Sequence, residues 1–370
     1  MINSNIKLSF LEQRISSIFS KNQAFGLDFN NSSLRILQLS GNSGKPSVEG
    51  WSEKKFAKGV FENFEIIKIE KFKETFDLAM ESVQGSIIGR RAVISIPENK
   101  VFTRVISIPE INPAEASEAI KWETESNIPI SIEDVYYDWQ IIRKIGKKMD
   151  VLVVATPKKI IDNYLLAMDK IGIEVIACEA ESIATGRSVI EKGNLDFLLV
   201  VDIGLDNTSF AIYQGAIPVF TSSSNATGRM LTSVIAKELS LTEEKAEAYK
   251  IKNGLLGVTE KEKNKNVEIF NAVLSILYQE IEKTMNFFSN TMNDGYGNQI
   301  EKVVLTGGAS NLKGLPEFLS KKLKKEVCLS NPWINLDTTG EAREINSGKA
   351  QSLATVIGLS IRAQNYESYN

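Results

Sequence analysis

Two aspartates each end an apolar run and open a turn of small polar residues: Asp28 in AFGLDFNNSSLRILQL, Ala24 to Leu39, and Asp202 in LLVVDIGLDNTSFAIY, Leu198 to Tyr213. A strand that runs into such a turn puts one carboxylate beside several backbone N–H groups. The N–H groups suit phosphate oxygens, and the carboxylate suits the water shell of Mg²⁺, which usually keeps several waters. Two such loops facing each other would clamp the phosphates of a nucleotide, with Asp28 and Asp202 reaching the ion through water. Each loop taken singly is also ordinary hairpin chemistry, because Asp before a tight turn is common. Downstream, VVLTGGASN sets Gly307 and Gly308 at a strand end, where backbone can approach a flat base or ribose closely. Alone, that pair is only a turn signal.

No histidine occurs in the 370 residues, which removes Ser-His-Asp and Cys-His catalysis and His-ligated zinc. Any chemistry must run on carboxylates, Lys and Arg, hydroxyls or a bound metal. Cys178 and Cys328 sit in apolar contexts and form no CxxC, so they read as reduced, half-buried thiols rather than a disulfide framework or metal cage. Lys and Arg number 43 against 46 Asp and Glu, a net charge of −3, which offers no basic field to nucleic acid or anionic lipid. With 43% hydrophobic and 24% charged residues, the chain reads as an ordinary globular protein of two or more units, at roughly 100–200 residues per domain. No run of about 18 apolar residues suggests a membrane span, and the N-terminus lacks the apolar core and cleavage site of a signal peptide. Within residues 1–21, Leu8, Leu11, Ile15 and Ile18 form a narrow apolar stripe at helical spacing. Only Lys7, Arg14 and Lys21 would meet lipid charge there, so self-packing or a partner fits better than a bilayer.

The elements that must position these residues alternate between strand and helix. After the first Asp turn come a strand near Val48 to Phe56, a helix around Lys71 to Gln84 and a strand from Ala92 to Pro97. Residues 98–157 look like an inserted α+β unit: the strand VFTRVISIP, a helix opened by Asn112 as N-cap, Pro113 and a capping-box Glu115, then VYYDWQII and DVLVVATP joined by the basic turn RKIGKK. Ala116, Ala119 and Ile120 form the inner face of that helix. A helix from Lys158 to Lys170, the strand GIEVIACE and a helix from Ser182 to Glu191 follow. In the second half, helices span Gly228 to Leu239 and Thr242 to Lys252, and EKEKNKN reads as a solvated loop. Phe270, Val273, Leu274, Leu277, Ile281, Met285 and Phe288 then repeat at 3.6-residue spacing as one long amphipathic helix. It leads to the strand Val303 to Gly308, and a closing helix covers Ala350 to Arg362. Such alternation argues for α/β layers around mixed or parallel sheets.

The order of Asp turn, inserted α+β unit, Asp turn, helical pair, long helix and GG loop resembles the actin/Hsp70/FtsA ATPase superfamily over nearly the whole chain. Within it the chain is similar to the PilM family of type IV pilus assembly, related to the cytoplasmic part of the type II secretion L protein. IKWETESNIPISIEDVYYDWQII looks like that family's helix, Pro-containing turn and (D/E)-x-V-x-x-D-(Y/W)-Q strand, and QSLATVIGLSIR looks like its closing helix. The resemblance implies an actin-like (ribonuclease H-like) two-domain ATPase fold with an inserted 1C/SHS2-like subdomain. It divides the chain into residues 1–21; a subdomain 1A of 22–97, 158–192 and 341–364; the inserted unit 98–157; and a second half of 193–340, with a helical 2B at about 226–262.

Carried over onto matching positions, Asp28, Asn30, Asn31 and Ser32 resemble the first phosphate loop, and Asp202, Gly204 and Thr208 the second. Glu179, in CEAESIATGR, falls near the family's Glu-Pro, whose Glu orients the attacking water; it is equally placed to be an ordinary carboxylate beside a helix start. Glu247 and Lys250 resemble an Ala-Glu-x-x-Lys signature on ribose and base, or form an exposed pair three apart on a helix. Gly228 falls in the family's Gly-Gly position, and Gly307 and Gly308 in its adenosine loop. Arg35 replaces the usual Lys, Asn30 a Gly, Ala180 a Pro and Thr227 the first Gly. The resemblance implies ATP or ADP binding with Mg²⁺, and these departures imply weak or absent hydrolysis.

The implied role is a cytoplasmic scaffold peripheral to the inner membrane. Its groove between 1A and 1C captures the N-terminal peptide of a PilN-like bitopic protein, and nucleotide state couples the platform to the pilus motor ATPases; a homo-oligomer is compatible with this. Three other readings stand beside it. One is an FtsA-like division protein, disfavoured by the polar ending RAQNYESYN. Another is a sugar-type kinase, for which Asp134, Asp138 and Asp150 lack an evident sugar-binding surround. The last is a nucleotide-independent pseudo-ATPase scaffold.

Overall fold

The computed structural model describes residues 23–41, 44–256, 260–291, 299–339, 345 and 347–365. The amphipathic stretch of residues 1–21 lies outside them, as do the side chains of Glu115 and Ala116. The first half opens with the antiparallel meander β1 (Ala24–Phe29), β2 (Ser33–Ser40) and β3 (Ser47–Lys55). A small hairpin, β4 (Phe61–Glu62) and β5 (Glu65–Ile66), precedes helix α1 (Ile69–Glu81), the short β6 (Gln84–Gly85) and β7 (Arg91–Ile96). The inserted segment holds β8 (Phe102–Pro109), α2 (Pro113–Asn127), β9 (Val135–Ile145) and β10 (Lys148–Pro157). The chain returns through α3 (Lys158–Lys170), β11 (Glu174–Ala180) and α4 (Glu181–Val189). The first sheet runs β11-β7-β1-β2-β3-β6, with β11, β7 and β1 parallel.

The second half repeats this plan. Its meander is β12 (Phe197–Ile203), β13 (Thr208–Gln214) and β14 (Ile217–Ser224), followed by α5 (Gly228–Leu239), α6 (Glu243–Asn253) and the 32-residue α7 (Glu260–Thr291). Then come β15 (Ile300–Thr306), α8 (Leu315–Leu323), β16 (Val327–Leu329), the single turn α9 (Ser347–Ala350) and α10 (Ala354–Gln364). β16, β15 and β12 are parallel, as β11, β7 and β1 are.

Strand alternation explains where both aspartates point. Phe25, Leu27 and Phe29 of β1 join Phe72, Phe76 and Tyr164 in the outer core of the first half, so Gly26 and Asp28 face the other way, toward α10. In β12, Leu199, Val201 and Ile203 pack on α7, which leaves Leu198, Val200 and Asp202 facing the layer that holds α4 and α10. Those two helices lie between the sheets and pack closely: a Cβ on Gly358 would fall 1.8 Å from the Ala184 carbonyl oxygen, so only glycine permits this approach. Both carboxylates are thereby delivered to the same inner layer.

Two sequence expectations are corrected. EKEKNKN is the beginning of α7, because Glu and Lys are good helix formers and Asn266 is buried there, donating to the Leu256 carbonyl and accepting from the Tyr249 hydroxyl. The basic run RKIGKK is mostly strand, with Lys148 in register with Ile145 and Arg143 paired across to Asp150 at 2.5 Å, so the turn shrinks to Gly146 and Lys147. The sheets also hold an arrangement that the sequence does not announce. The inserted strands continue the second half's sheet, in the order β16-β15-β12-β13-β14-β8-β10-β9, through the single pair Phe220 and Arg104.

Candidate functional site

Where the two Asp turns face each other the halves enclose a cavity of about 740 Å³. Asp28, Asn30 and Ser32 line one wall, Asp202 and Gly204 with the adjoining Gly228, Gly307 and Gly308 the opposite wall, and Glu247 and Lys250 the far end. Asn31, Thr208 and Glu179 do not line it. Thr208 is fully buried and its hydroxyl donates to the Ala226 carbonyl at 2.8 Å. The Asn31 Oδ1 is buried without a hydrogen-bond partner.

Glu179 is a correction. Its carboxylate is bound by both Arg187 guanidinium nitrogens, each at 2.7 Å, and by Arg362 Nη1 at 2.6 Å, which ties β11 to α4 and α10. A carboxylate so fully engaged and buried cannot orient a water in the cavity. The glutamate that faces the cavity is Glu181, two residues on, at the first position of α4. The resemblance to the family's Glu-Pro points to Glu179 and leaves Glu181 unmarked.

Around Asp28 the charge is already answered. Arg35 Nη1 lies 3.0 Å from its Oδ2, Ser95 Oγ donates to its Oδ1 at 2.8 Å, and Arg35 Nε reaches Glu53 at 2.9 Å. Asn30 is not among the positive-φ residues, so glycine's conformational freedom is not needed there. Its side-chain oxygen instead accepts from the backbone amides of Ser32 at 2.9 Å and Ser33 at 3.0 Å, two donors that a phosphate-binding turn would present to its ligand. The two turns also touch: Ser32 Oγ donates to Asp206 Oδ2 at 2.7 Å, and Arg229 Nε holds Asp206 Oδ1 at 2.5 Å. Arg35, Asp206 and Arg229 were not among the residues expected to form the site, beyond the note that Arg35 replaces a lysine.

Across the cavity Asp202 is crowded from below. Gly307 has φ +81°, and a Cβ on it would fall 2.2 Å from Asp202 Oδ1, so the GG loop abuts the carboxylate. Burial, with Asp28 nearby, pushes the Asp202 carboxyl up to about 7, against a smaller downward pull from Arg35. Burial likewise holds Glu181 well above the usual carboxylate range, and Asp28 and Asp202 push it the same way. At the far end Lys250 is buried, donating to the Gly228 carbonyl at 3.1 Å and to Thr232 Oγ1 at 2.8 Å, with Glu247 Oε2 at 2.6 Å. Its ammonium ties α6 to α5, and Glu247, more exposed, also accepts from Thr232 Oγ1 at 2.5 Å through the same oxygen.

The donor set fits a polyanion only if a cation accompanies it. Six carboxylates line the cavity against four cationic side chains among the described residues. None of the described acidic or Cys residues cluster in threes to hold a bare ion, so an ion here would be held through waters and the ligand's own oxygens.

The family model for type IV pilus assembly protein PilM matches residues 26–364. The chain belongs to this family. A solved PilM-PilN type IV pilus biogenesis complex resembles it with a TM-score of 0.76 at 22% identity, covering 92% of this chain and 98% of that one. MreB 5 of Spiroplasma citri bound to AMPPNP resembles it with a TM-score of 0.52 at 13% identity, covering 94% and 98%. These likenesses show an actin-like two-domain fold. Cell division protein FtsA of Staphylococcus epidermidis is 24% identical over 213 residues, 52% of this chain and 44% of that protein; FtsA of Agrobacterium fabrum is 24% identical over 234 residues, 58% and 52%. The chain spans about half the length of the curated relatives it matches.

Two measurements separate the acidic residues. Glu179→Ala leaves two arginines without their shared carboxylate and should lower stability by about 3–5 kcal/mol in urea denaturation, as expected for breaking a buried ion pair; a loss under 1 kcal/mol would refute the staple. For Asp202, the folded chain holds a proton between about pH 4 and 7 that the unfolded chain has released, so stability falls as pH rises through that window and levels off above it. Between pH 5 and 8, wild type should lose about 2–3 kcal/mol relative to Asp202→Asn; parallel pH profiles would show that Asp202 is not perturbed.

Proposed function

We propose that the cavity binds a nucleotide, ATP or ADP, as its Mg²⁺ complex, and that the chain is a nucleotide-responsive scaffold of the type IV pilus inner-membrane platform. The observation that carries this is the facing of the two Asp turns across one cavity, with the GG loop against Asp202 and the Glu247–Lys250 pair at its far end, in a chain of the PilM family. In this reading the turns at Asn30–Ser32 and Gly204–Asn207 receive the phosphates, Gly307 and Gly308 lie along the nucleoside, and Glu247 meets the ribose. Asp28 and Asp202 hold the ion through water. Magnesium supplies positive charge that offsets the carboxylates and screens the phosphates from them. Glu181 is the carboxylate placed to orient a water, and burial holds its carboxyl above the usual carboxylate range.

The partner in this reading is the short N-terminal segment of a PilN-like bitopic membrane protein, received between the first half and the inserted strands. Its support is the likeness to the PilM-PilN complex. No helix among the described residues is long and apolar enough to cross a membrane, so attachment to the cytoplasmic face of the inner membrane would come through that partner. Family membership favours the pilus over an FtsA-like role in division.

A nucleotide-independent scaffold is the second reading, favoured by the amides that Asn30 occupies and by the Ser32–Asp206 contact. Thermal denaturation decides between them. Mg-ATP or Mg-ADP at 100 times its dissociation constant should raise stability by about 2.7 kcal/mol, and EDTA or Asp202→Ala should abolish the shift. No shift with any nucleotide would leave the structural reading. If Asn30 occupies phosphate-binding amides, Asn30→Gly should tighten nucleotide binding about tenfold, or 1.4 kcal/mol, by titration calorimetry; an unchanged affinity would show that its side chain is no obstacle.

A further inference from the structure

The two walls of the cavity touch at the tips of the Asp turns, and an anionic side chain makes the contact. Asp206 lines the cavity from the turn between β12 and β13, and its Oδ2 accepts from Ser32 Oγ at 2.7 Å across the space between the halves. Its Oδ1 is bound by Arg229 Nε at 2.5 Å, and Arg229 Nη2 donates to the same Ser32 hydroxyl at 3.4 Å. A guanidinium and a serine hydroxyl converging on one anionic group are the partners a phosphate takes in a binding site. Here a carboxylate of the chain itself has them.

The carboxylate keeps its place without help from the first half. The Gly204 N–H donates to the Asn207 carbonyl at 3.0 Å, which closes the turn, and the first two amides of α5, those of Gly228 and Arg229, donate to the Gly204 and Leu205 carbonyls at 2.9 and 3.0 Å. Asp206 and Arg229 therefore belong to one fixed unit of turn and helix, and Asp206 stays at the tip when Ser32 leaves it. Its side chain is 19% exposed, so solvent and salt screen its charge less than they would on an open surface. Opposite it, the Ser32 and Ser33 amides are already taken by Asn30 Oδ1. A group arriving between the tips meets a fixed negative charge on one side and occupied donors on the other.

With the nucleoside along Gly307 and Gly308, a phosphate chain runs from there between the turns, and each added phosphate carries it closer to the tips. Two phosphates stop short of the Ser32–Asp206 contact, whereas a third must part it and lie against the carboxylate. We infer that Asp206 makes the cavity selective for a nucleoside diphosphate over a triphosphate, by holding a like charge where the terminal phosphate would sit. This rests on the cavity taking nucleotide, and the experiment tells the two apart.

Titration calorimetry of the full chain with Mg-ADP and with Mg-ATP reads the ratio of their dissociation constants. Wild type should bind Mg-ADP about tenfold more tightly than Mg-ATP, or 1.4 kcal/mol. In Asp206→Ala the ratio should fall to near one, because only the triphosphate met the lost charge. A turn that is merely loosened weakens both nucleotides together and leaves the ratio at its wild-type value. Asp206→Asn, which keeps the size of the side chain and an acceptor for Ser32, should lower the ratio in the same direction and serves if Asp206→Ala does not fold. A wild type that binds Mg-ATP as tightly as Mg-ADP, or more tightly, overturns the inference and leaves the nucleotide reading standing. So does a preference for Mg-ADP that a folded variant retains in full. Binding of neither nucleotide to wild type overturns the nucleotide reading and this inference with it.

Discussion

Asp28 and Asp202 sit in one inner layer, close enough that Asp28 raises the cost of ionising Asp202. Two like charges in a poorly solvated space must be neutralised, protonated or bridged. Different answers operate on the two sides. Arg35 and Ser95 clasp Asp28, whereas Asp202 meets burial and the GG loop and has its carboxyl pushed up to about 7. A site arranged this way gains from any cation that arrives with its own anionic ligand, which is the electrostatic case for a metal-nucleotide complex over a free nucleotide.

The duplication behind this layer was legible in the chain. Apolar runs ending in Asp28 and Asp202 became the first strands of two matching meanders, and period-two alternation fixed which face each carboxylate takes. The long helix was equally legible, since Phe270 through Phe288 had to be one buried stripe. Less legible was anything that depended on where an element begins. The resemblance to the family's Glu-Pro pointed to Glu179, which staples three elements together, and left Glu181, which lines the cavity, unmarked. EKEKNKN was read as loop because its charge suggested solvent, yet charge and helix propensity are compatible on the exposed face of Glu262 to Lys265, and the buried Asn266 anchors the segment.

Partnerships between distant segments could not be read at all. Ser32 with Asp206, and Arg104 with Phe220, join residues whose neighbours in sequence carry no sign of the other. An arginine in VFTRVISIP looks like an exposed position on an edge strand. Only the sheet order shows that the strand has a partner on that side and that the guanidinium is sandwiched at the join.

That sheet order gives the molecule its mechanical asymmetry. A segment inserted into the first half by sequence is continuous with the second half by hydrogen bonding, so neither half can move without shearing the inserted unit against the other. The unit's connections are thin: one strand pair at Arg104 to β14, and the Glu98–Lys100 turn, which is bonded to α4 and lies against β14 as well. Beside that turn the backbone is strained at Phe64, and within it burial pushes the Glu98 carboxyl above its ordinary range. A rigid junction would need neither feature.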